Sequence, residues 1–144
     1  MKVVLQRVES ASVEVDGKII SSINRGYVIL LGIGAEDTKE QTEKMVEKIK
    51  KLRIFADENG KINLSIENID GEILVVSQFT LYADCKKGSR PSFTNAGSPV
   101  LAEELYNYFI ETSRSKFKKV GHGIFGASMQ VSLVNDGPFT VILE

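Results

Sequence analysis

Tyr27-Val28-Ile29-Leu30-Leu31-Gly32-Ile33 is the longest apolar run in the chain, and Asn24-Arg25-Gly26 turns the backbone into it. Continuous apolar character, in place of alternation, marks a strand covered on both faces at the centre of a sheet. Ile73-Leu74-Val75-Val76 repeats the pattern after the Asp70-Gly71 break and gives a second buried strand. Outward from these, residues 3–8 and 12–15 read as strands, Asp16-Gly17 as a two-residue hairpin turn, and 18–23 as the return strand. Thr38 with Gln41 three residues on is a capping box, so a helix opens there, with Met45, Val46, Ile49 and Leu52 as its apolar stripe. Ser98 as N-cap and Pro99 at the first helical position open a second helix, on which Leu101, Leu105 and Phe109 recur with Ala102 and Thr112 beside them. Strands return over 130–134 and 139–143. The pattern predicts an α/β domain of about seven strands, in mixed and largely antiparallel sheets layered against two long helices.

With 144 residues the chain is one domain by size, spanning 1–144. Hydrophobic residues make up 42% and charged residues 26%, the balance of a water-soluble globular protein, and the longest apolar run is far too short to cross a bilayer. Met1-Lys2-Val3-Val4-Leu5-Gln6-Arg7 reads as a first strand, not as a secretory signal. Cys85 is the only cysteine, so no internal disulfide forms and a cytoplasmic setting is expected. A net charge of -1 leaves no whole-molecule field for nucleic acid, so any RNA contact must use local basic clusters. Lys86, Lys87 and Arg90 form one and Lys116, Lys118 and Lys119 another; the first is the better candidate because it lies directly after the Ser77–Leu81 segment.

Two segments carry the chemistry. Ser77-Gln78-Phe79-Thr80-Leu81 follows the apolar run at 73–76, and a buried strand that ends in polar residues presents them at a rigid edge. Asn135-Asp136-Gly137-Pro138-Phe139-Thr140 interrupts strand-like sequence with Gly-Pro, the dipeptide of a tight or cis turn. Other reaction types lack their residues. One histidine and one cysteine, without HExxH or CxxC, leave no zinc ligand set, so no metal is expected. No phosphate-binding GxxxxGK[ST] or strand-linked GxGxxG is present, and no cofactor is expected. A Ser-His-Asp triad would have to recruit His122 from the glycine-flanked loop Gly121-His122-Gly123. An enzyme built on this chain works without a histidine base.

These two segments resemble the signature of the D-aminoacyl-tRNA deacylases, first described as D-tyrosyl-tRNA deacylases. Gln6-Arg7-Val8, Leu52-Arg53-Ile54-Phe55, Gly88-Ser89-Arg90-Pro91-Ser92-Phe93 and Gly123-Ile124-Phe125-Gly126-Ala127-Ser128-Met129 match as well, in the family's order along the whole chain. The departures are Tyr82 where a small residue is frequent, His122 where threonine often occurs and Phe139 where valine is common. The resemblance implies a compact α/β homodimer that hydrolyses the ester of D-aminoacyl-tRNA, and of mischarged glycyl-tRNA. It places the catalytic residues at Ser77, Gln78, Phe79 and Thr80. It implies that Gly137-Pro138 is cis and reaches into the partner subunit's site, where its carbonyls exclude L side chains by a clash. Arg7 then packs near the Gly-Pro loop. Phe125 flanks the terminal adenine or belongs to the core, Met129 lines the pocket or the core, and Lys86, Lys87 and Arg90 meet tRNA. An aminoacyl ester is activated by its own ammonium group and has a neighbouring ribose hydroxyl, so orientation and backbone N–H donors supply most of the effect. Thr80 is a positioning group in this reading; the alternative, a nucleophile, lacks an identifiable base. A non-catalytic nucleic-acid-binding dimer of the same fold is the competing reading, and a hydrolase of another activated acyl compound a third.

Overall fold

The computed structural model describes residues 1–144. The chain runs β1 (Lys2–Val15), β2 (Lys18–Ile23), β3 (Gly26–Gly32), α1 (Lys39–Lys51), β4 (Arg53–Ala56), β5 (Ile62–Ser65) and β6 (Glu72–Ser77), then a 3-10 turn (Phe79–Tyr82), α2 (Pro99–Arg114), β7 (Val120–His122) and β8 (Gln130–Leu143). The main sheet has the order β2-β1-β3-β6-β7, with β8 laid against β1, while β4 and β5 form a separate hairpin. β1 pairs antiparallel with β2, β3 and β8, whereas β3–β6 and β6–β7 are parallel. Parallel neighbours need a crossover, and the helices supply it: α1 lies between β3 and β6, α2 between β6 and β7. The α/β class with mixed sheets and two helices is the one expected.

β3 is the central strand that its apolar run predicts. Tyr27, Val28 and Ile29 are fully buried, with β1 on one edge and β6 on the other. Tyr27, Ile29 and Leu31 face the helices and pack with Val46 and Ile49 of α1 and Leu105 and Phe109 of α2 in the larger core. Val28 faces the other way, into a smaller core with Val8, Val13, Leu74 and Val76. Asp16 and Gly17 both have positive φ, 49° and 77°, the conformation a two-residue hairpin turn requires. Thr38 makes both bonds of its capping box, and the Ser98 hydroxyl accepts from the Leu101 N–H at 3.3 Å. The buried face of α2 is Ala102, Leu105, Tyr106, Phe109, Ile110 and Ser113, rotated away from the Leu101 and Thr112 side. Tyr106 fixes that rotation by reaching the Val75 carbonyl at 3.0 Å.

Three expectations are corrected, and three short strands are added. Residues 3–8 and 12–15 are one strand, and so are 130–134 and 139–143. β1 and β8 pair along nearly their whole length and absorb the interruptions as register shifts at Gln6/Val8 and Val8/Ser10, so Gly137-Pro138 sits in a bulge within a strand. β4, β5 and β7 went unread because segments of three or four residues are too short to show alternation. His122 ends β7 opposite Val75 and is not in a loop; its Nδ1 lies 2.8 Å from the Gly123 carbonyl. No helix is long and apolar enough to cross a membrane.

Phe109 is fully buried between the helices and the sheet. Phe109→Ala is expected to lower the unfolding free energy by about 3–5 kcal/mol, against about 1 kcal/mol for Thr38→Ala, which removes only a cap. Urea titrations of both variants, with unchanged m-values, measure the difference.

Candidate active site

Ser77 is the last residue of β6 and pairs with Leu31, and the Gln78 N–H donates to the Leu31 carbonyl at 2.8 Å. Beyond that bond the chain leaves the sheet. Phe79 and Thr80 lie in the 3-10 turn, not on the extended edge expected for them. Glycines at the end of β3 explain the change. A Cβ on Gly32 would lie 3.0 Å from the Gln78 carbonyl, and one on Gly34 2.6 Å from the Tyr82 hydroxyl, so bare backbone at these two positions gives the turn and its tyrosine ring room against the end of β3. The turn closes through Leu81 N–H to the Gln78 carbonyl (3.2 Å) and Ala83 N–H to the Thr80 carbonyl (3.0 Å). The amides of Phe79 and Thr80 precede its first rung, where a helical turn offers no carbonyl one turn back. Both residues are exposed, and the Gln78 side-chain amide donates to the Thr80 hydroxyl. A carboxamide cannot take up a proton, so this partner orients the hydroxyl without activating it. Burial, aided by the charges of Asp37 and Glu144, pushes the Tyr82 hydroxyl up to about 12, so it stays neutral under the turn.

The turn borders a groove of about 550 Å³, the size of a small-ligand site. Val76, Ser77 and Gln78 form its floor, Pro99 and Ala102 of α2 one wall, and Phe125 and Met129 the other; none of its lining side chains is acidic, basic or imidazole. Phe125 is half-buried and packs at 6.0 Å on Tyr106. The Tyr106 hydroxyl lies 3.0 Å from the Val75 carbonyl and 3.2 Å from the Gly123 carbonyl. It ties the Phe125 segment to the end of β6. Burial raises its pKa far above the ordinary tyrosine range, which keeps the proton for this bond. Sequence reasoning missed Pro99, Ala102 and Tyr106 as parts of the site. A small residue four positions before a tyrosine on one helix face was the available signal.

Gly137-Pro138 is cis, and Gly137 has φ 143°. Arg7 fastens this bulge. Its Nε donates to the Asp136 carbonyl at 2.9 Å and its Nη1 to the Ile54 carbonyl at 2.6 Å. The guanidinium also lies 3.4 Å from the Asp136 carboxylate and 4.7 Å from the centre of the Phe139 ring. The Asn135 side chain closes the bulge by accepting the Phe139 N–H at 2.8 Å. The structure does not bring this bulge to the groove of its own chain. Arg7 pairs with Tyr27 and Ser77 with Leu31, and four residues of β3 separate the two levels by roughly 13 Å.

Lys86, Lys87 and Arg90 project from an exposed loop beyond the turn, and none of them lies within ion-pair distance of a carboxylate. The other cluster is spoken for: Lys116 pairs with Glu47, Lys118 with Asp70 at 3.0 Å and Lys119 with Glu72 at 4.0 Å.

Comparison with known proteins places the chain in a family. The family model described as D-Tyr-tRNA(Tyr) deacylase matches residues 4–144. A D-aminoacyl-tRNA deacylase of Thermosipho africanus (strain TCF52B) is 53% identical over 144 residues, covering 100% of this chain and 97% of that protein. Its counterpart from Thermosipho melanesiensis is 52% identical over 145 residues, with the same coverage. Among solved structures, the c-Myc DNA Unwinding Element Binding Protein superposes with a TM-score of 0.94 at 48% identity, covering 100% of this chain and 98% of the other. A probable eukaryotic D-amino acid tRNA deacylase shares the fold, with a TM-score of 0.86 at 20% identity over 99% and 97% of the two chains. A family match over nearly the full length, with half the residues identical to curated relatives, settles the assignment: this chain belongs to the D-Tyr-tRNA(Tyr) deacylase family and is an enzyme of that family.

Proposed function

We propose that residues 1–144 act as one unit that hydrolyses the ester of D-aminoacyl-tRNA, and of mischarged glycyl-tRNA, releasing the amino acid and tRNA. The observation that carries the reading is the groove itself: apolar walls, no ionisable side chain, and a turn at its edge whose first two amides point out of their own ladder. Such a site holds and orients a substrate that supplies its own reactivity. The terminal nucleoside lies between Ala102 and Phe125, and the ester carbonyl faces the amides of Phe79 and Thr80, which stabilise the oxyanion as water attacks. One such donor is worth about 10²–10³ in rate. The neighbouring ribose hydroxyl assists the attack, and Ser77, Gln78 and Thr80 position the ester.

Chirality is read by the bulge at Gly137-Pro138 of a second subunit. Its separation from the groove of its own chain supports a homodimer, as does β8, which pairs only with β1 and leaves Val134 and Ile142 half or more exposed. Backbone held by Arg7 cannot yield to an L side chain, whereas a D side chain points away and glycine has nothing to clash. Lys86, Lys87 and Arg90, free of acidic partners, meet the phosphates of tRNA. The exposed thiol of Cys85 suits a reducing cytoplasm. The name of the DNA-binding structural relative favours a second reading, nucleic-acid binding without hydrolysis, for which the groove and turn have no use. Release of amino acid from D-tyrosyl-tRNA, with an L-tyrosyl-tRNA control, separates the two: the deacylase reading requires fast release from the D substrate only.

Three outcomes follow from the geometry. Thr80→Ala is expected to lose no more than about tenfold in single-turnover rate, the worth of one hydrogen bond; a fall of about 10⁴-fold would make Thr80 the nucleophile. Arg7→Leu leaves the buried Ile54 carbonyl without its donor, so a stability loss of about 1–3 kcal/mol is expected by urea titration, together with a smaller ratio of D to L hydrolysis. Replacing Lys86, Lys87 and Arg90 by Gln is expected to weaken tRNA binding and reduce its salt slope by about 0.9 for each phosphate no longer neutralised, and the same change at Lys116, Lys118 and Lys119 to do far less. Filter binding over a salt series measures both.

A further inference from the structure

The groove accounts for one nucleoside and leaves Phe93 unused. Phe79 stands 56% exposed at the groove mouth, and the Phe93 ring packs on it at 5.0 Å with an interplanar angle of 59°. Phe79 lines the groove and Phe93 does not, so the pair forms a shelf that runs outward from its rim. Two backbone hydrogen bonds between Asp84 and Ser92, 2.8 and 2.9 Å long, close residues 84–92 into a loop that delivers Phe93 to this place. That same loop carries Lys86, Lys87 and Arg90, all exposed. Asp84 is its only acidic residue, and one carboxylate oxygen already accepts the Lys86 N–H at 2.9 Å. Along the chain, Lys86, Lys87 and Arg90 fall between the two rings of the shelf, Phe79 and Phe93.

We infer that the Phe79–Phe93 shelf stacks the base of the nucleotide immediately 5′ of the reacting one, with the phosphates behind it held by the 84–92 loop; this rests on the deacylase reading. The chemistry is that of single-stranded RNA. An aromatic face accepts any base, a neighbouring cation neutralises the phosphate that follows, and no hydrogen-bond reading of sequence is needed. A strand whose last nucleoside fills the groove and leaves it past Phe79 meets the shelf first, and the loop joining the two rings carries the cations. Stacking of one base on an aromatic side chain contributes about 5–150-fold in affinity.

The test compares two D-aminoacyl esters, one on adenosine alone and one on a CCA trinucleotide, in wild type, Phe93→Ala, Phe93→Leu and Phe93→Trp. Phe93→Ala and Phe93→Leu are expected to lower the ratio of kcat/KM for the trinucleotide over the adenosine ester by about 5–150-fold, through KM, and Phe93→Trp to restore it. Quenching of a fluorescent cytosine analogue at the penultimate position of an uncharged ACCA tetranucleotide is expected in wild type and Phe93→Trp and lost in the other two. An unchanged ratio with unchanged quenching overturns the inference. So does an equal loss on both esters, which makes Phe93 a structural residue. If wild type cleaves neither ester, the deacylase reading fails, and quenching by the tetranucleotide still decides whether the shelf stacks a base.

Discussion

The parallel pairing of β3 with β6, in the register that sets Leu31 opposite Ser77, is the constraint on which the site depends. Both strands are buried, so a slip of one residue would turn each apolar side chain to the wrong core. The register is therefore held by the larger and smaller cores together. It decides where β6 runs out, and the glycines at 32 and 34 decide what the chain does there. With only hydrogens there, the backbone folds down as a single turn in which the amides of Phe79 and Thr80 precede the first rung and have no carbonyl one turn back. The active-site candidate is thus a consequence of sheet geometry more than of any reactive side chain.

A second consequence is division of labour between the two ends of the sheet. At one end the groove, with Phe125 and Met129, is apolar and unionised. At the other, Arg7 commits its guanidinium to two backbone carbonyls and an acid in order to hold a bulge that its own groove never meets. A buried arginine spent on fixing exposed backbone has little purpose inside one subunit. It acquires one if the bulge is a wall of the neighbour's site, where rigidity is what excludes a side chain.

Much of this was readable beforehand, and for identifiable reasons. The runs at 27–33 and 73–76 announced the buried strands because unbroken apolar sequence of that length needs cover on both faces. Thr38 with Gln41 and Ser98 with Pro99 announced the helices through local hydrogen-bond chemistry. The short strands β4, β5 and β7 were not readable, since they exist through pairing and packing partners distant in sequence. The same holds for the turn at Phe79–Tyr82. Nothing in Ser77-Gln78-Phe79-Thr80 forbids extension, and the steric room for the turn comes from Gly32 and Gly34, at and just beyond the end of β3. Tyr106 escaped notice because its role is a hydroxyl bridge between two carbonyls, visible only once α2 lies against β6.

The cross-subunit site we propose is tested by complementation between two disabled chains. Ala102→Trp fills the groove, and Gly137→Val distorts the bulge, since its φ of 143° does not suit a branched side chain and a Cβ there would lie 2.8 Å from the Phe139 nitrogen. Each homodimer is expected to be inactive or unselective on D-aminoacyl-tRNA. Unfolded and refolded together, the two chains form hybrids in which the intact groove of one meets the intact bulge of the other, and selective hydrolysis of the D ester returns at one site per hybrid. A mixture that forms hybrids yet recovers no selective activity would contradict the account, as would a Gly137→Val homodimer that rejects L-aminoacyl-tRNA as well as wild type does.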